Sequence, residues 1–489
     1  MISIYKLRHV TQLFPFYSQK KCLESAFTSK IPQKSWTISR FISESSEKEK
    51  LPLSEINLDS EYTEISRQYL NPNLAGHGAL VIQPHIKHGR NKRKNTTADL
   101  QLQEAVALIE TLNNWSVVEA MRIGLMSLKK NSLFGKGNLE MLRDKVRKDP
   151  NITAVFISIN LLRHVQVTEL QSLFGVPVYD RYSIVIQIFR EHAKTTEAKL
   201  QVALAELPYI WKKISLTEED TGGKINLSES RRMVLHAREA KLKNSLKKLR
   251  EHRKMIRSSR TIRDIPSVAV VGYTNAGKTC LIKALTGDES LVPENKLFAT
   301  LDTTAHAGLL PCRLKVLYMD TIGFIQDIPE DLIEPFVATF EDAILADVIV
   351  HVFDASHPDK EAQIEHVRET LARIMIDLKT KEKPLIEVAN KCDLIPSGTV
   401  PENILGVSAV NSTGIDLLRQ QIERELLSAT ARTSMVIRVK SGSSSAAWLY
   451  KEITVTNAEA DPENPEYILL RVVATELQLH RFRKFLKNK

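Results

Sequence analysis

Residues 267–285, SVAVVGYTNAGKTCLIKAL, run from an apolar strand through the spacing GxxxxGKT into an amphipathic helical pattern. That context is what a phosphate-cradling loop requires. Gly272 and Gly277 let the backbone approach phosphate oxygens, so that the amides of Tyr273, Thr274, Asn275, Ala276 and the helix start can point at them. Lys278 is placed to reach β- and γ-phosphates and Thr279 to ligate Mg2+. The expected chemistry is phosphoryl transfer from a nucleoside triphosphate.

A phosphate loop does not choose the base. In PLIEVANKCDLI a buried strand runs into Asn390, Lys391, Cys392 and Asp393, which resembles the guanine-specificity motif of GTPases. Guanine presents two donors on one edge, and the Asp393 carboxylate can accept both; adenine has no such pair, and the mismatch would leave a charged acceptor unsatisfied. Asn390 is expected to hold the loop and Lys391 to cover the base with its stem. Ser408 and Ala409, in GVSAVNSTG, resemble the element whose backbone meets the guanine oxygen.

Between these motifs, DTIGF supplies Asp320, expected to hold a metal-bound water, then Thr321 and Ile322, and Gly323, whose amide would meet the γ-phosphate. Phe324 follows where many GTPases place a glutamine, and a phenyl ring cannot orient an attacking water. Upstream, KLFATLDTTAHAG is a threonine-rich loop with Phe298, Ala299, Thr300, Leu301 and Asp302 beside the expected nucleotide. Thr300, Thr303 or Thr304 could supply a second metal-coordinating hydroxyl.

These motifs need elements to hold them, and 489 residues suffice for several domains. No stretch approaches the ~18 uninterrupted apolar residues of a membrane span, so a soluble chain is expected. From about Gly78 to Ala193, short β-rich runs alternate with helical patterns, which implies a parallel α/β layer. Within it, Gly135-Lys136-Gly137 precedes a helix and reads first as a structural loop. Leu200, Leu204, Leu207, Trp211 and Ile214, then Leu235, Leu242, Leu249 and Ile256 with Leu246, describe an antiparallel helical hairpin packed along one seam. Asp220 and two glycines mark its turn, and Ser228 is the expected N-cap of the second helix. The C-terminal remainder reads strand, helix, strand, strand, helix, and is expected to be a docking or packing domain.

The net charge of +10 is 68 basic minus 58 acidic residues. Between Glu229 and Arg263 alone there are thirteen Lys/Arg and three Glu, a balance of +10. Like charges at helical spacing are better explained by a polyanion partner than by a solvated face. Arg231, Arg232, Arg238, Lys241, Lys247, Lys248, Arg250, Arg253 and Lys254 are the candidate RNA contacts. The four cysteines, Cys22, Cys280, Cys312 and Cys392, have no paired metal-ligand spacing, and a reducing compartment is expected. The first forty residues hold seven Lys/Arg against the single acid Glu24, the composition of an organellar transit peptide.

LFATLDTTA, DTIGFI, NKCD and SA, together with DRYSIVIQIFREHAKTTEAKLQVALAEL (180–207) and GKGNLE, resemble the HflX-type GTPases of the Obg–HflX group, and with the transit-like leader a mitochondrial member of it. The resemblance covers roughly residues 130–430 and singles out Thr300 as the second metal ligand, with Lys278, Thr300 and Gly323 as the catalytic set. It implies an α/β fold: a P-loop GTPase domain (264–430) preceded by an α/β HflX-type N-terminal domain (60–196) and a basic helical hairpin (197–263), and followed by a small α+β C-terminal domain (433–489), after a transit peptide (1–45). It further implies a Mg2+-dependent GTPase, binding GTP or GDP, slow alone. Its partner would be the large subunit of the mitochondrial ribosome and its rRNA, in assembly or ribosome dissociation, as a monomer in the matrix. Family members usually carry a longer glycine-rich hairpin loop where this chain has TGGKINLSESRR, so the reach of that tip into the peptidyl-transferase region does not carry over. The alternatives are an RNA-binding scaffold in which GTP is structural, and an ATP-driven remodeller using the GKG region.

Overall fold

The computed structural model describes residues 4–5, 60–70, 76–86, 96–125, 132–221, 227–262, 265–325, 336, 343–377, 383–396, 398–401 and 403–487. The expected transit peptide, apart from the short strand β1 (Ile4–Tyr5), and the hairpin tip at 222–226 lie outside these residues. Two compact units divide the chain, one of residues 52–308 and 315–426, the other of 1–51, 309–314 and 427–489.

The larger unit begins with helix α1 (Ser60–Leu70), followed by β2 (Gly78–Ile86), α2 (Ala98–Thr111), β3 (Ser116–Leu125), α3 (Lys136–Lys148), β4 (Ala154–Ile157), α4 (His164–Phe174), β5 (Val178–Asp180) and α5 (Arg181–His192). The four strands form a parallel sheet of order β3-β2-β4-β5. Its central strands are buried on both faces, which is why Ala79, Leu80, Val81 and Ile82, and Ala154, Val155, Phe156 and Ile157, read as unbroken apolar runs rather than an alternation. The GKG segment only starts α3: Gly135 is its N-cap, and a methyl group on either glycine would meet nothing within 4 Å, so the glycines are not there for a close approach.

Helices α6 (Thr196–Thr221) and α7 (Leu227–Ile262) form the expected hairpin. Along α7 the leucines 235, 242, 246 and 249 are buried while Lys241, Lys247 and Lys248 are exposed. Helix α6 is not confined to one seam. It packs on α1, α4 and α5 as well as α7, and therefore buries Gln201, Glu206 and Lys213 beside its leucines. Each buried polar group is matched, as it must be: Lys213 donates to Asp180 at 3.0 Å and to the Leu162 carbonyl at 2.6 Å, and Glu206 accepts from Tyr62 and Arg190. Ser228 lies inside the first turn of α7, which starts at Leu227, and is not its N-cap.

The remaining elements of this unit are β6 (Ser267–Gly272), α8 (Lys278–Thr286), β7 (Thr304–Leu309), β8 (Lys315–Asp320), β9 (Val348–Asp354), α9 (Lys360–Asp377), β10 (Leu385–Asn390), β11 (Leu405–Gly406) and α10 (Ile415–Ala429). The strands form one sheet of order β11-β10-β9-β6-β8-β7, in which β11, β10, β9, β6 and β8 are parallel to one another. Loops at the carboxyl ends of β6, β8 and β10 therefore converge on one rim.

The smaller unit holds β12 (Arg432–Lys440), α11 (Ser444–Glu452), β13 (Thr454–Ala460), β14 (Tyr467–Thr475) and α12 (Glu476–Lys487), in the order expected from the sequence. Its antiparallel sheet runs β1-β12-β14-β13 and covers a core of Ile437, Val439, Leu449, Leu470, Val472 and Phe482. No helix of the described residues is long and apolar enough to cross a membrane.

Candidate nucleotide site

Strand β6 ends at Gly272 because the chain there passes against β9: a Cβ on Gly272 would stand 2.1 Å from the Val352 carbonyl oxygen. The loop closes at Gly277, whose φ of +88° and whose place 2.3 Å, Cβ to Nδ2, from Asn390 both demand glycine. Asn390 donates from Nδ2 to the Ala276 carbonyl at 3.0 Å and accepts from the Ala409 amide at 3.2 Å. One side chain thus ties three of the predicted motifs together. The Ala409 amide, expected to meet a guanine oxygen, is engaged here by Asn390.

Lys278 is buried, with Nζ donating to the carbonyls of Tyr273 (2.9 Å) and Gly272 (3.4 Å). Burial pushes its ammonium down to about 8, against the opposing pull of the Asp320 carboxylate. Gly323 faces the same spot: a methyl there would lie 2.8 Å from Thr274 Cα and 3.0 Å from Lys278 Nζ. Asp320 Oδ2 accepts from Thr279 (2.6 Å) and Thr300 (3.1 Å), and the two hydroxyls are 3.2 Å apart. Of the three candidate threonines, the fold brings Thr300 to this cluster, while the Thr304 hydroxyl is 2.9 Å from His306.

The second carboxylate oxygen of Asp320 is buried without a hydrogen-bond partner, in a residue only 1% exposed. An orphaned anionic oxygen beside two hydroxyls is a hard-oxygen donor set, and it fits a small divalent cation that arrives with phosphate oxygens.

Thr274, Asn275, Gly277, Lys278, Thr279, Phe298, Ala299, Thr300, Gly323, Asn390, Lys391, Asp393 and Ala409 all line one cavity of about 300 Å3, with Cys280 and residues 293–296. The other predicted contacts stand behind it. Leu301, Thr321, Ile322 and Ser408 are buried, and Thr321 spends its hydroxyl on the Val270 carbonyl. Cys392 bonds the Ala389 carbonyl from a short 3-10 turn. Asp302 is turned away, onto Thr195. Lys391 reaches Asp354 at 2.7 Å, a partner that sequence reading did not name. A larger cavity, about 440 Å3, lies behind the P-loop at the carboxyl ends of β2 and β4. In it Arg181 pairs with Glu104, Asp354 with Lys391, and Asp359 accepts from the Thr96 hydroxyl, whereas the smaller cavity gathers Lys278, Thr300 and Asp393.

Phe324 is buried, and its backbone pairs with the P-loop, Phe324 N to Gly272 O at 3.1 Å and Thr274 N to Phe324 O at 2.7 Å. It packs under the site and carries no group toward the cavity. On the hairpin, Arg238 requires correction as an RNA contact. It is buried with its guanidinium 3.8 Å over the Tyr62 ring, because α1 covers that side of α7. Arg231 donates to the Tyr69 hydroxyl and is half-buried, as is Arg232. The side chains of Arg250, Arg253 and Lys254 lie outside the described residues, which leaves Lys241, Lys247 and Lys248 as the exposed members.

A parallel sheet with a P-loop after β6, an acid at the end of β8 and Asn-Lys-Cys-Asp after β10 defines a P-loop GTPase. Family models agree: "50S ribosome-binding GTPase" matches residues 267–391, "GTP-binding GTPase N-terminal" 99–190 and "GTP-binding GTPase Middle Region" 192–260. "Putative GTP-binding protein 6" of Xenopus laevis is 39% identical over 447 residues, covering 88% of this chain and 84% of that protein. The human protein of the same name is 40% identical over 83% and 80%. "GTPase HflX" of Caldanaerobacter subterraneus is 37% identical over 64% of this chain and 76% of its own. The chain belongs to the HflX family of GTPases, and it hydrolyses GTP.

The protonated Lys278 is the form that attracts phosphate. Affinity of the nucleotide-free protein for GTP is therefore expected to be steady below the folded pKa of about 8 and to fall as pH rises through it. The fall should reach about tenfold by roughly pH 9, one pKa unit above. Calorimetry across that range checks this; a flat profile would mean that the ammonium stays charged without nucleotide.

Proposed function

We propose that this GTPase acts on the large subunit of the mitochondrial ribosome, in the matrix, with Mg2+ as cofactor and rRNA as the surface gripped by its hairpin. The observation that carries the reading is α7: its leucine seam is buried while Lys241, Lys247 and Lys248 face outward, on a segment whose balance of thirteen basic to three acidic residues equals the surplus of the whole chain. Such a face fits a phosphate backbone and makes binding salt-dependent. The basic, hydroxyl-rich leader supports the location.

In this reading Lys278 and the amides after Gly272 hold the phosphates, and Asp393 reads the guanine edge. Thr279, Thr300 and Asp320 would hold Mg2+, which would supply neutralisation of the phosphate charge. The Gly323 amide and Thr300 converge on the terminal phosphate, so a triphosphate holds both loops more firmly than a diphosphate. Phe324 gives no hydrogen-bonding atom to the nucleophilic water. Turnover alone is therefore slow, and the partner supplies the missing group, an effect worth about 10³–10⁵ in other GTPases.

Purified large mitochondrial subunits are expected to raise GTP turnover at least about tenfold, a conservative fraction of that partner effect, and a non-hydrolysable analogue to retain the protein on them. Equal rates with and without subunits would overturn the reading. Retention without stimulation would favour a scaffold in which GTP is structural.

A further inference from the structure

The loop that carries Thr300 is held from outside the GTPase domain on both sides of that residue. Two residues before it, the Phe298 carbonyl accepts from His192 Nδ1 at 2.8 Å, at the end of α5. The Phe298 ring is buried edge-on against Phe189, and its φ of +53° is a left-handed conformation that a bulky residue keeps only when its surroundings hold it there. Two residues after Thr300, both carboxylate oxygens of Asp302 are taken by Thr195: Oγ1 donates at 2.5 Å, and the amide lies at 3.4 Å.

Thr195 is also the N-cap of α6. Its hydroxyl oxygen accepts from the Ala198 amide at 3.1 Å, and its carbonyl accepts the first helical bond, from Lys199. One hydroxyl therefore does two things: its oxygen caps the first helix of the hairpin, and its proton goes to the loop that places Thr300. Helix α6 packs along α7, so the start of the arm and the switch loop share an atom.

We propose that Thr195 is a positioning residue for GTP turnover: by joining the cap of α6 to Asp302 it presets Thr300 for the metal and γ-phosphate, and it ties the nucleotide state to the root of the hairpin. The coupling is reciprocal, so whatever settles α6 in this arrangement favours triphosphate over diphosphate by the same factor. The inference rests on the nucleotide site and not on the identity of the arm's partner.

Thr195 is exposed, so substitutions there can be tested in the folded full-length chain. Asp and Asn are both good N-caps and nearly isosteric, which separates capping from the contact with Asp302. Thr195→Asp puts a carboxylate against a carboxylate; Thr195→Asn offers Asp302 an amide donor. The readout is the ratio of affinities for a non-hydrolysable GTP analogue and for GDP, with Mg2+ at low salt, by fluorescence of a labelled nucleotide. Thr195→Asp is expected to lower that ratio about tenfold while GDP affinity stays within about twofold, the size of a lost charge-assisted bond. Thr195→Asn should stay within about twofold of the parent, and Thr195→Asp with Asp302→Asn should recover, since the bond returns with donor and acceptor exchanged. An unchanged ratio in Thr195→Asp, an equal loss for both nucleotides, or no recovery in the double variant would overturn the proposal.

Discussion

Lys278→Ala is expected to lower kcat/KM for GTP by about 10³-fold, the scale on which a preorganised charge in a water-poor site acts. The lysine is buried, and its Nζ donates to two P-loop carbonyls beside the spot that Gly323 also faces. It therefore meets developing charge without reorganising. Removing it also removes the group expected to titrate near 8, so the variant should lose the fall in GTP affinity above that pH as well as the rate. Single-turnover hydrolysis and calorimetry measure the two effects on one preparation. A variant within about tenfold of the parent rate, far short of the loss a buried charge implies, would mean that phosphate is held mainly by backbone amides.

Asp393→Asn is expected to lower GDP affinity about 10²-fold and raise that for xanthosine diphosphate, which reverses the preference. The carboxylate accepts two guanine donors in the proposed pose. Losing one and opposing it with an amide donor removes charged hydrogen bonds worth about 1.5–3 kcal/mol each. Xanthine carries an oxygen where guanine carries the amine, and the new amide can donate to it. Asp393 is exposed at the mouth of the cavity, in the turn after Lys391, so the substitution should leave the fold alone. Competition between the two diphosphates against labelled nucleotide decides it; unchanged selectivity would take guanine reading away from this residue.

The GTPase motifs were legible because each is local. The GxxxxGKT spacing runs from the end of β6 into α8, and Asn390 to Asp393 from the end of β10 into the turn that follows, so each motif is carried by neighbours in the chain. Which of Thr300, Thr303 and Thr304 meets Asp320 was open from the residues alone; in the fold Thr300 bonds it at 3.1 Å, twenty positions away. AKTTEAKL was visible as part of a family-specific stretch, but nothing in its spacing names Asp302 as the partner of Thr195, 107 residues on. The misplaced expectations share a cause. Arg238 reads as one more positive charge on a basic helix, and only the docking of α1 with Tyr62 turns it inward. Likewise, α6 reads as a one-seam helix until α1, α4 and α5 close around it.

Determined by the sequence alone were the nucleotide class, the order of the domains and the excess of positive charge on one long helix, because loop spacing, strand–helix alternation and composition act over a few residues at a time. Only the tertiary structure decided which hydroxyls meet Asp320, which arginines face solvent, and how a loop of the GTPase domain is pinned to the first turn of the hairpin. Those depend on side chains from distant segments filling one another's hydrogen bonds and apolar surfaces, and no periodicity within either segment encodes its partner.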